Sequence, residues 1–232
     1  MTKSVKIAYF CWLIGGIFGL HHFYLGREKQ AFIWLTTLGG FLLGVLRDLY
    51  KIPLYVKESN NEKDYFDNLV KKQQQMKAPA FQTSRFFASI FVSSIIGYIF
   101  QKAIPTSSDV DDFNKSISLA LYYISPLITS LYVYLISSEG PVKCSLKWSI
   151  LGAFLGYYWN LFQVNYSSLS SAIFSTLFLN WSIEWDREFV QPDKKPKPKK
   201  KIRFLFFLIG FCLVSYITCL YLVNNIEYEV NG

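Results

Sequence analysis

The stretch Ala8–Pro53, AYFCWLIGGIFGLHHFYLGREKQAFIWLTTLGGFLLGVLRDLYKIP, decides the fold class of this chain. It consists of two apolar runs separated by a short polar turn, GREKQ, at residues 26–30. A bilayer core about 30 Å thick needs roughly 20 mostly apolar residues per helix, and both runs approach that length. The stretch therefore predicts a helical membrane hairpin, with spans at about Val5–Leu25 and about Ala31–Leu49.

The remainder of the chain continues in the same apolar character. Hydrophobic residues make up 52% of the sequence and charged residues 17%, below the charged fraction of about 25% that is typical of soluble proteins. The sequence therefore predicts an all-α integral membrane bundle of about seven spans. The five further spans are predicted at about Phe86–Ile104, Ile117–Ile136, Trp148–Val164, Leu169–Trp185 and Ile202–Val223.

These segments predict three regions along the chain. Residues 1–56 form the glycine-rich hairpin domain, and residues 57–85 form a cytosolic linker whose middle, roughly 61–76, is predicted as a short amphipathic helix. Residues 86–232 form a further membrane bundle of about five spans, interrupted by a polybasic loop at 187–203.

The basic residues predict the orientation of the bundle. The net charge is +8, and with seven spans 20 of the 24 lysines and arginines fall on one side of the membrane. The positive-inside rule then places the N-terminus in the cytosol of a multi-pass protein. Because the charge lies in loops beside the spans and no recognition module fits between them, nucleic-acid binding is not expected.

The polybasic loop contains the sequence QPDKKPKPKKK, in which proline favours an extended chain and the lysines repel one another. Two interpretations stay open. The loop is either a solvated anchor that sets topology or a clamp for anionic lipid headgroups. The candidate headgroup contacts are Lys194, Lys195, Lys197, Lys199, Lys200 and Lys201.

Glycines recur in both predicted helices of the hairpin. Gly15 and Gly19 have a small-xxx-small spacing, as do Gly40 and Gly44. Such pairs let helix backbones approach closely in lipid, where packing drives association. The spacing predicts a tightly packed antiparallel hairpin.

The two histidines of the chain, His21 and His22, are adjacent. Neighbouring side chains on a helix point about 100° apart, so the pair is not expected to chelate one ion. The nearest acidic residue in the sequence is Glu28. We expect structural hydrogen bonds or headgroup contacts near the non-cytosolic interface, beside Tyr24 and Arg27, and we expect no metal site and no cofactor.

The pieces GLHHFYLGRE, LTTLGG and YKIPLYV resemble the two-transmembrane-helix domain family. The motif residues are Gly16, His21, His22, Tyr24, Gly26 and Arg27. More closely, the stretch Ala8–Val56 is similar to the N-terminal membrane region of the DnaJ homolog subfamily C member 22 family, called Wurst in insects.

The closer resemblance implies a membrane scaffold or co-chaperone-related adaptor in trafficking or endocytosis, with Hsp70 or coat machinery as partners. The His-Pro-Asp motif of a J domain is absent from these 232 residues. A non-catalytic role is therefore expected.

A small-solute transporter or channel is the alternative. Ionisable residues within the spans would be the main clue, but the polar candidates are mostly uncharged: Asn160, Gln163 and Asn180. Pro126 is expected to kink the fourth span, and Lys6 is expected to lie near Asp48 across the hairpin. No catalytic triad or nucleotide motif indicates an enzyme.

Overall fold

The computed structural model describes residues 2–76, 78–104, 112–159 and 167–190, and within them the predicted all-helical class is confirmed. The helices are α1 Val5–Gly15, α2 Leu20–Leu25, α3 Glu28–Phe41, α4 Leu43–Ser59, α5 Lys63–Gln75, α6 Thr83–Lys102, α7 Asp112–Ser137, α8 Leu146–Trp159, α9 Ser167–Asn180 and α10 Arg187–Val190. Two short strands, β1 Val142–Lys143 and β2 Glu184–Trp185, pair antiparallel.

The chain divides into two compact units. Within the described residues, the first comprises residues 2–83, Leu135–Cys144 and residues 182–190, and the second comprises Ser84–Tyr134 and Ser145–Trp181. The predicted span at Ile202–Val223, the six candidate headgroup lysines, and Asn160 and Gln163 lie outside the described residues.

The first predicted span is not one continuous helix. Helix α1 ends at Gly15, and the backbone turns through Gly19, whose φ of 73° is left-handed and favours glycine. Helix α2 then runs back along α1, since the backbone N–H of Ser4 donates to the hydroxyl of Tyr24 at 2.8 Å. Gly15 and Gly19 therefore begin and end a reversal and do not share one helix face.

The second predicted span is also reversed. Left-handed backbone conformations at Leu38, Gly39, Gly40 and Leu42 separate α3 from α4. Helix α4 returns antiparallel to α1, and the indole Nε1 of Trp12 donates to the Val45 carbonyl at 3.0 Å. Each predicted span is thus a helical hairpin of its own.

These two hairpins form what we call the N-terminal module, residues 3–60, and both begin and end at the same end of it. At this polar end the Asn60 amide donates to the Lys3 carbonyl, and the Ser59 hydroxyl donates to the Leu25 carbonyl. Leu25, next to the turn at residues 26–30, therefore lies at the same end of the module as Lys3, whereas two straight spans would have placed them at opposite ends.

The opposite end of the module, which we call the apolar tip, is made of exposed large hydrophobic side chains. They are Leu13, Ile14, Phe18, Leu38, Leu42, Leu43 and Leu46. Helix α1 has 11 residues and is therefore about 16 Å long, roughly half of a bilayer core.

The core of the module lies between α1, α2 and α4, around the buried residues Ala8, Leu25, Ile52, Tyr55 and Val56. Pro53 lies inside α4 and lacks the N–H that would bond the carbonyl of Leu49. The hydroxyl of Tyr9 donates to that carbonyl at 2.9 Å. Helix α1 thus supplies the hydrogen bond that proline removes from α4.

Helix α5 confirms the short amphipathic helix predicted in the linker. Its buried residue Phe66 packs against Phe189 of α10, with ring centroids 5.9 Å apart. Its other face is exposed and polar, and comprises Lys63, Asp64, Asp67, Asn68, Lys71, Lys72, Gln74 and Gln75.

Two helices in the described part of the chain are long and apolar enough to cross a membrane, α6 and residues Ser116–Ser137 of α7. Pro126 lies inside α7. Helices α8 and α9 have 14 residues each and pack closely, because a Cβ on Gly156 would come within 2.9 Å of the Ser171 Cα. The seven-span bundle is not confirmed.

Candidate functional site

A cluster of ionisable side chains lies buried in the N-terminal module. The Nε2 atoms of His21 and His22 each lie 2.9 Å from the same carboxylate oxygen, Oδ2 of Asp48. The hydroxyl of Tyr55 donates to the other oxygen, Oδ1, at 3.0 Å. Both histidines and Asp48 are fully buried. We call these four residues the His–Asp cluster.

The two reversals of the chain bring this cluster together. The turn at Gly19 directs α2 back onto α4, so that adjacent histidines both face the same helix. Asp48 and Tyr55 are seven residues apart, which places them on one face of α4 two turns from each other. The imidazole centroids are 4.1 Å apart with the ring planes tilted by 37°. The expectation that the rings diverge is wrong.

The structure distinguishes between the hydrogen bonds and the headgroup contacts that were expected for the two histidines. Because His21 and His22 have no exposed surface, the hydrogen-bonding interpretation is confirmed for them and headgroup contact is not. Lys6 is exposed, and Asp48 is held by the histidines and Tyr55. The expected pairing of Lys6 with Asp48 is therefore wrong.

The cluster holds Asp48 as a carboxylate with three hydrogen-bond donors. Since a carboxylate only accepts hydrogen bonds, both imidazoles present N–H at Nε2, an assignment that follows from the geometry. Their Nδ1 atoms are buried and have no hydrogen-bond partner among the described residues. Trp34 packs edge-on against His22, with centroids 5.0 Å apart. The site is polar at its centre and apolar around it.

A second set of charged side chains, Arg27, Glu58 and Glu139, lies at the polar end of the module, and we call it the arginine network. The guanidinium of Arg27 donates to Glu58 at 2.8 Å and to Glu139 at 2.6 Å. It also lies over the ring of Tyr55, 3.8 Å from the centroid. Tyr55 therefore contacts both the arginine network and the His–Asp cluster.

Burial shapes the electrostatics of this network. Burial alone would lower the pKa of Arg27, but Glu139 and Glu58 outweigh it, so the pKa lies above its usual range. Burial raises the pKa of Glu58, and Arg27 opposes that effect only in part. Burial and the charge of Glu58 raise the pKa of Tyr65 to about 12. The network thus holds a permanent positive charge between two carboxyl groups.

The predicted motif residues lie at different places in the module. Gly16 follows the last residue of α1, the packing glycine Gly15, which lies against Leu20. Tyr24 bonds the backbone at Ser4, and Gly26 ends α2 in a left-handed conformation with φ of 74°. Of these residues, His21, His22 and Arg27 enter the two polar clusters.

The predicted packing glycines differ in how much space surrounds them. A Cβ on Gly19 would lie 2.8 Å from the Cβ of Trp34, and a Cβ on Gly44 would also meet the Trp34 indole. Gly40 has open space around it and a left-handed φ of 63°. Trp34 is the side chain against which two of these glycines allow close packing.

The sequence reasoning missed the roles of Asp48, Tyr55, Glu58 and Glu139. A signal for Asp48 was present, because a carboxylate in an apolar run needs a buried partner and the chain has only two histidines. No sequence signal connected Glu139 to Arg27, since 112 residues separate them.

The comparison with protein families identifies this part of the chain. The sequence model of the TM2 domain family matches residues 1–50. Residues 1–50 are therefore similar to a TM2 domain. The matched residues include His21, His22 and Asp48, whereas Tyr55 and the two glutamates of the arginine network lie outside them.

Curated TM2 domain-containing proteins are similar to part of this chain. A TM2 domain-containing protein of Caenorhabditis elegans is 33% identical over 94 residues, which is 37% of this chain and 23% of that protein. Two TM2 domain-containing proteins of Dictyostelium discoideum are 40% identical over 62 residues, covering 27% of this chain and 40% of theirs, and 35% identical over 81 residues, covering 35% and 50%.

The chain therefore spans half or less of the length of these relatives. No solved structure matches it significantly. The TM2 domain together with the two long apolar helices α6 and α7 indicates a membrane protein.

Proposed function

We propose that this chain is a non-catalytic membrane scaffold, in which the TM2 domain holds helix α5 at the membrane surface for a partner protein. The observation that carries the proposal is the arginine network. Arg27 joins the turn after α2, the C-terminal end of α4 and the Leu135–Cys144 segment through Glu58 and Glu139. Removing one partner of a buried charge pair is strongly destabilising, and on this ground we assign the network the role of holding these three segments together.

Helix α5 is the surface that this arrangement presents. It begins four residues after Ser59, and its apolar residue Phe66 is already covered by Phe189. The remaining exposed face carries lysine, aspartate, asparagine and glutamine side chains. A helix that binds lipid would keep its apolar face for the bilayer, so the polar face of α5 suits a protein surface in water.

The narrower form of this proposal is an adaptor in trafficking or endocytosis with a coat or Hsp70 partner. It rests on the sequence resemblance to the DnaJ-related family alone. The names of the three relatives mention only the TM2 domain. The experiment must therefore identify the partner.

Site-specific photo-crosslinking tests the scaffold. A photoreactive residue is placed at Lys71, on the polar face of α5, and a matched one at Leu13, which is 76% exposed at the apolar tip. We expect a discrete protein adduct from Lys71 in intact membranes, and lipid adducts from Leu13. The substitution Arg27→Gln should weaken the Lys71 adduct while the protein stays in the membrane.

Mass spectrometry of the Lys71 adduct then decides the narrower form, which requires a coat or Hsp70 protein. If Lys71 gives lipid adducts like those of Leu13, α5 lies on the bilayer and the scaffold proposal is wrong.

A small-solute transporter is the second candidate, because Asp48 is a buried carboxylate within an apolar module and such residues often mark ion or proton paths. Proteoliposomes with a pH-sensitive dye inside test this candidate. Proton flux that requires the purified chain and is abolished by Asp48→Asn would replace the scaffold with a transporter. Flux equal to that of empty vesicles would leave the scaffold as the function.

A further inference from the structure

We infer that the His–Asp cluster is a binding site for one divalent transition-metal ion of the Zn²⁺ class. His21, His22 and Asp48 are the group of described residues whose ligand atoms could share an ion, since these atoms all lie within 4.8 Å of one another. The inference concerns the interior of the TM2 domain and is independent of any partner at α5.

The distances between the ligand atoms are close to those of a bound ion. Zinc bonds to nitrogen and oxygen are about 2.0–2.1 Å long, which places two ligands of a tetrahedral site about 3.3 Å apart. Both Nε2 atoms lie 2.9 Å from Oδ2 of Asp48. Lengthening both distances by about 0.4 Å would bring them to the zinc spacing, and the two Nε2 atoms lie within 4.8 Å of each other.

The chemistry of the three ligands selects the class of ion. Two imidazole nitrogens and one carboxylate oxygen suit Zn²⁺ and similar transition ions, whereas Mg²⁺ and Ca²⁺ prefer oxygen ligands throughout. Three protein ligands leave a fourth position for water or another small ligand.

Metal binding requires both histidines to change tautomer. A histidine that binds metal through Nε2 must carry its proton on Nδ1. In the metal-free cluster both rings carry the proton on Nε2 and donate it to Asp48, so the ion would replace these two hydrogen bonds and the protons would move to Nδ1. Neither Nδ1 atom has a hydrogen-bond partner among the described residues, so no bond to Nδ1 opposes that move. On the carboxylate side, the Tyr55 hydroxyl on Oδ1 is the kind of second contact that orients a metal ligand.

The charge of the buried groups favours a cation. With neutral imidazoles, the His–Asp cluster and the arginine network contain three carboxylates, Asp48, Glu58 and Glu139, and one guanidinium. Isolated buried charge is costly unless it is paired or bound to metal. A divalent ion at Asp48 would balance the two negative charges that Arg27 leaves uncompensated within these groups.

The chain offers a clean test because His21 and His22 are its only histidines. The full chain is purified through a tag without histidine, with Cys11, Cys144, Cys212 and Cys219 changed to serine. After loading with Zn²⁺ and dialysis, elemental analysis should find one zinc per chain, and Mg²⁺ should not compete. X-ray absorption at the zinc edge should show two imidazoles and a carboxylate oxygen.

Variants separate the metal site from a purely structural hydrogen-bond cluster. His22→Gln should abolish imidazole-bound zinc, and Tyr55→Phe should weaken zinc binding by about 10–100-fold. Loading should also raise the melting temperature of the parent protein but not that of His22→Gln. A dialysed parent protein without zinc, or a zinc shell without imidazole scattering, would overturn the inference without requiring any variant to fold.

Discussion

At the scale of single residues, two glycines of the N-terminal module share a backbone conformation but differ in what surrounds them. Gly19 and Gly26 have nearly the same left-handed φ, 73° and 74°. They differ in their surroundings, because a Cβ on Gly19 would lie 2.8 Å from the Cβ of Trp34, whereas a Cβ on Gly26 would meet nothing within 4 Å. A comparison of the two positions therefore separates the free-energy cost of the left-handed conformation from the free-energy cost of the close contact.

We expect Gly26→Ala to lower the free energy of unfolding by about 1–2 kcal/mol, the usual cost of a left-handed residue with a Cβ. Gly19→Ala should lower it by about 1–3 kcal/mol more, because the added methyl overpacks against Trp34 and Ala31. Thermal or denaturant unfolding in detergent micelles measures both. Equal losses in the two variants would show that the close approach of Gly19 to Trp34 has no energetic consequence.

At the scale of helices, the reversals at Gly19 and at Leu38–Leu42 change the topology of the hairpin domain. Two straight spans would place the N-terminus and the turn at residues 26–30 on opposite sides of the membrane. The observed helices place Lys3, Leu25, Arg27 and Asn60 at one polar end. Because the apolar tip lies at the other end, we expect the module to insert into the bilayer from one side.

Cysteine labelling tests this topology. In a cysteine-free background, we expect Thr2→Cys, Lys29→Cys and Lys63→Cys to react with a membrane-impermeant maleimide from the same side, because all three exposed residues lie near the polar end. Ile14→Cys at the apolar tip serves as the control and should stay unlabelled from either side. Labelling of Lys29→Cys from the side opposite to Thr2→Cys would contradict one-sided insertion.

The sequence predicts those parts of this architecture for which a residue type has only one structural use. Apolar composition and run length predicted helices and a membrane setting. Glycine serves both close helix packing and left-handed turns, so the spacing of Gly15 and Gly19 did not distinguish a packed face from a reversal. The convergence of His21 and His22 on Asp48 depends on that reversal, and a straight helix would have kept the histidines away from α4.

At the scale of the whole molecule, the arginine network connects parts of the chain that are distant in sequence. Arg27 bonds Glu139 across 112 residues and Glu58 across 31. All three side chains are largely buried, with 9%, 14% and 16% of their surface exposed for Arg27, Glu139 and Glu58. Removal of the guanidinium would therefore leave two buried carboxylates facing each other.

We expect Arg27→Gln to destabilise the first unit by about 3–5 kcal/mol at neutral pH, the usual cost of breaking a buried charge pair. Arg27→Lys should restore part of this loss, because it keeps the charge but cannot bond both carboxylates as a planar fork or stack equally well on Tyr55. Protease protection of residues 135–144 in membranes measures the loss locally.

The pH dependence of Arg27→Gln distinguishes lost charge compensation from lost packing. Burial already raises the pKa of Glu58 in the native protein, and without Arg27 the folded state should bind protons more tightly than the unfolded state does. Stability then rises as the pH falls through the raised pKa and declines as the pH rises. Melting of Arg27→Gln should therefore approach that of the parent protein as the pH is lowered from neutrality. A constant difference over this range would mean that the arginine contributes through packing on Tyr55 and not through its charge.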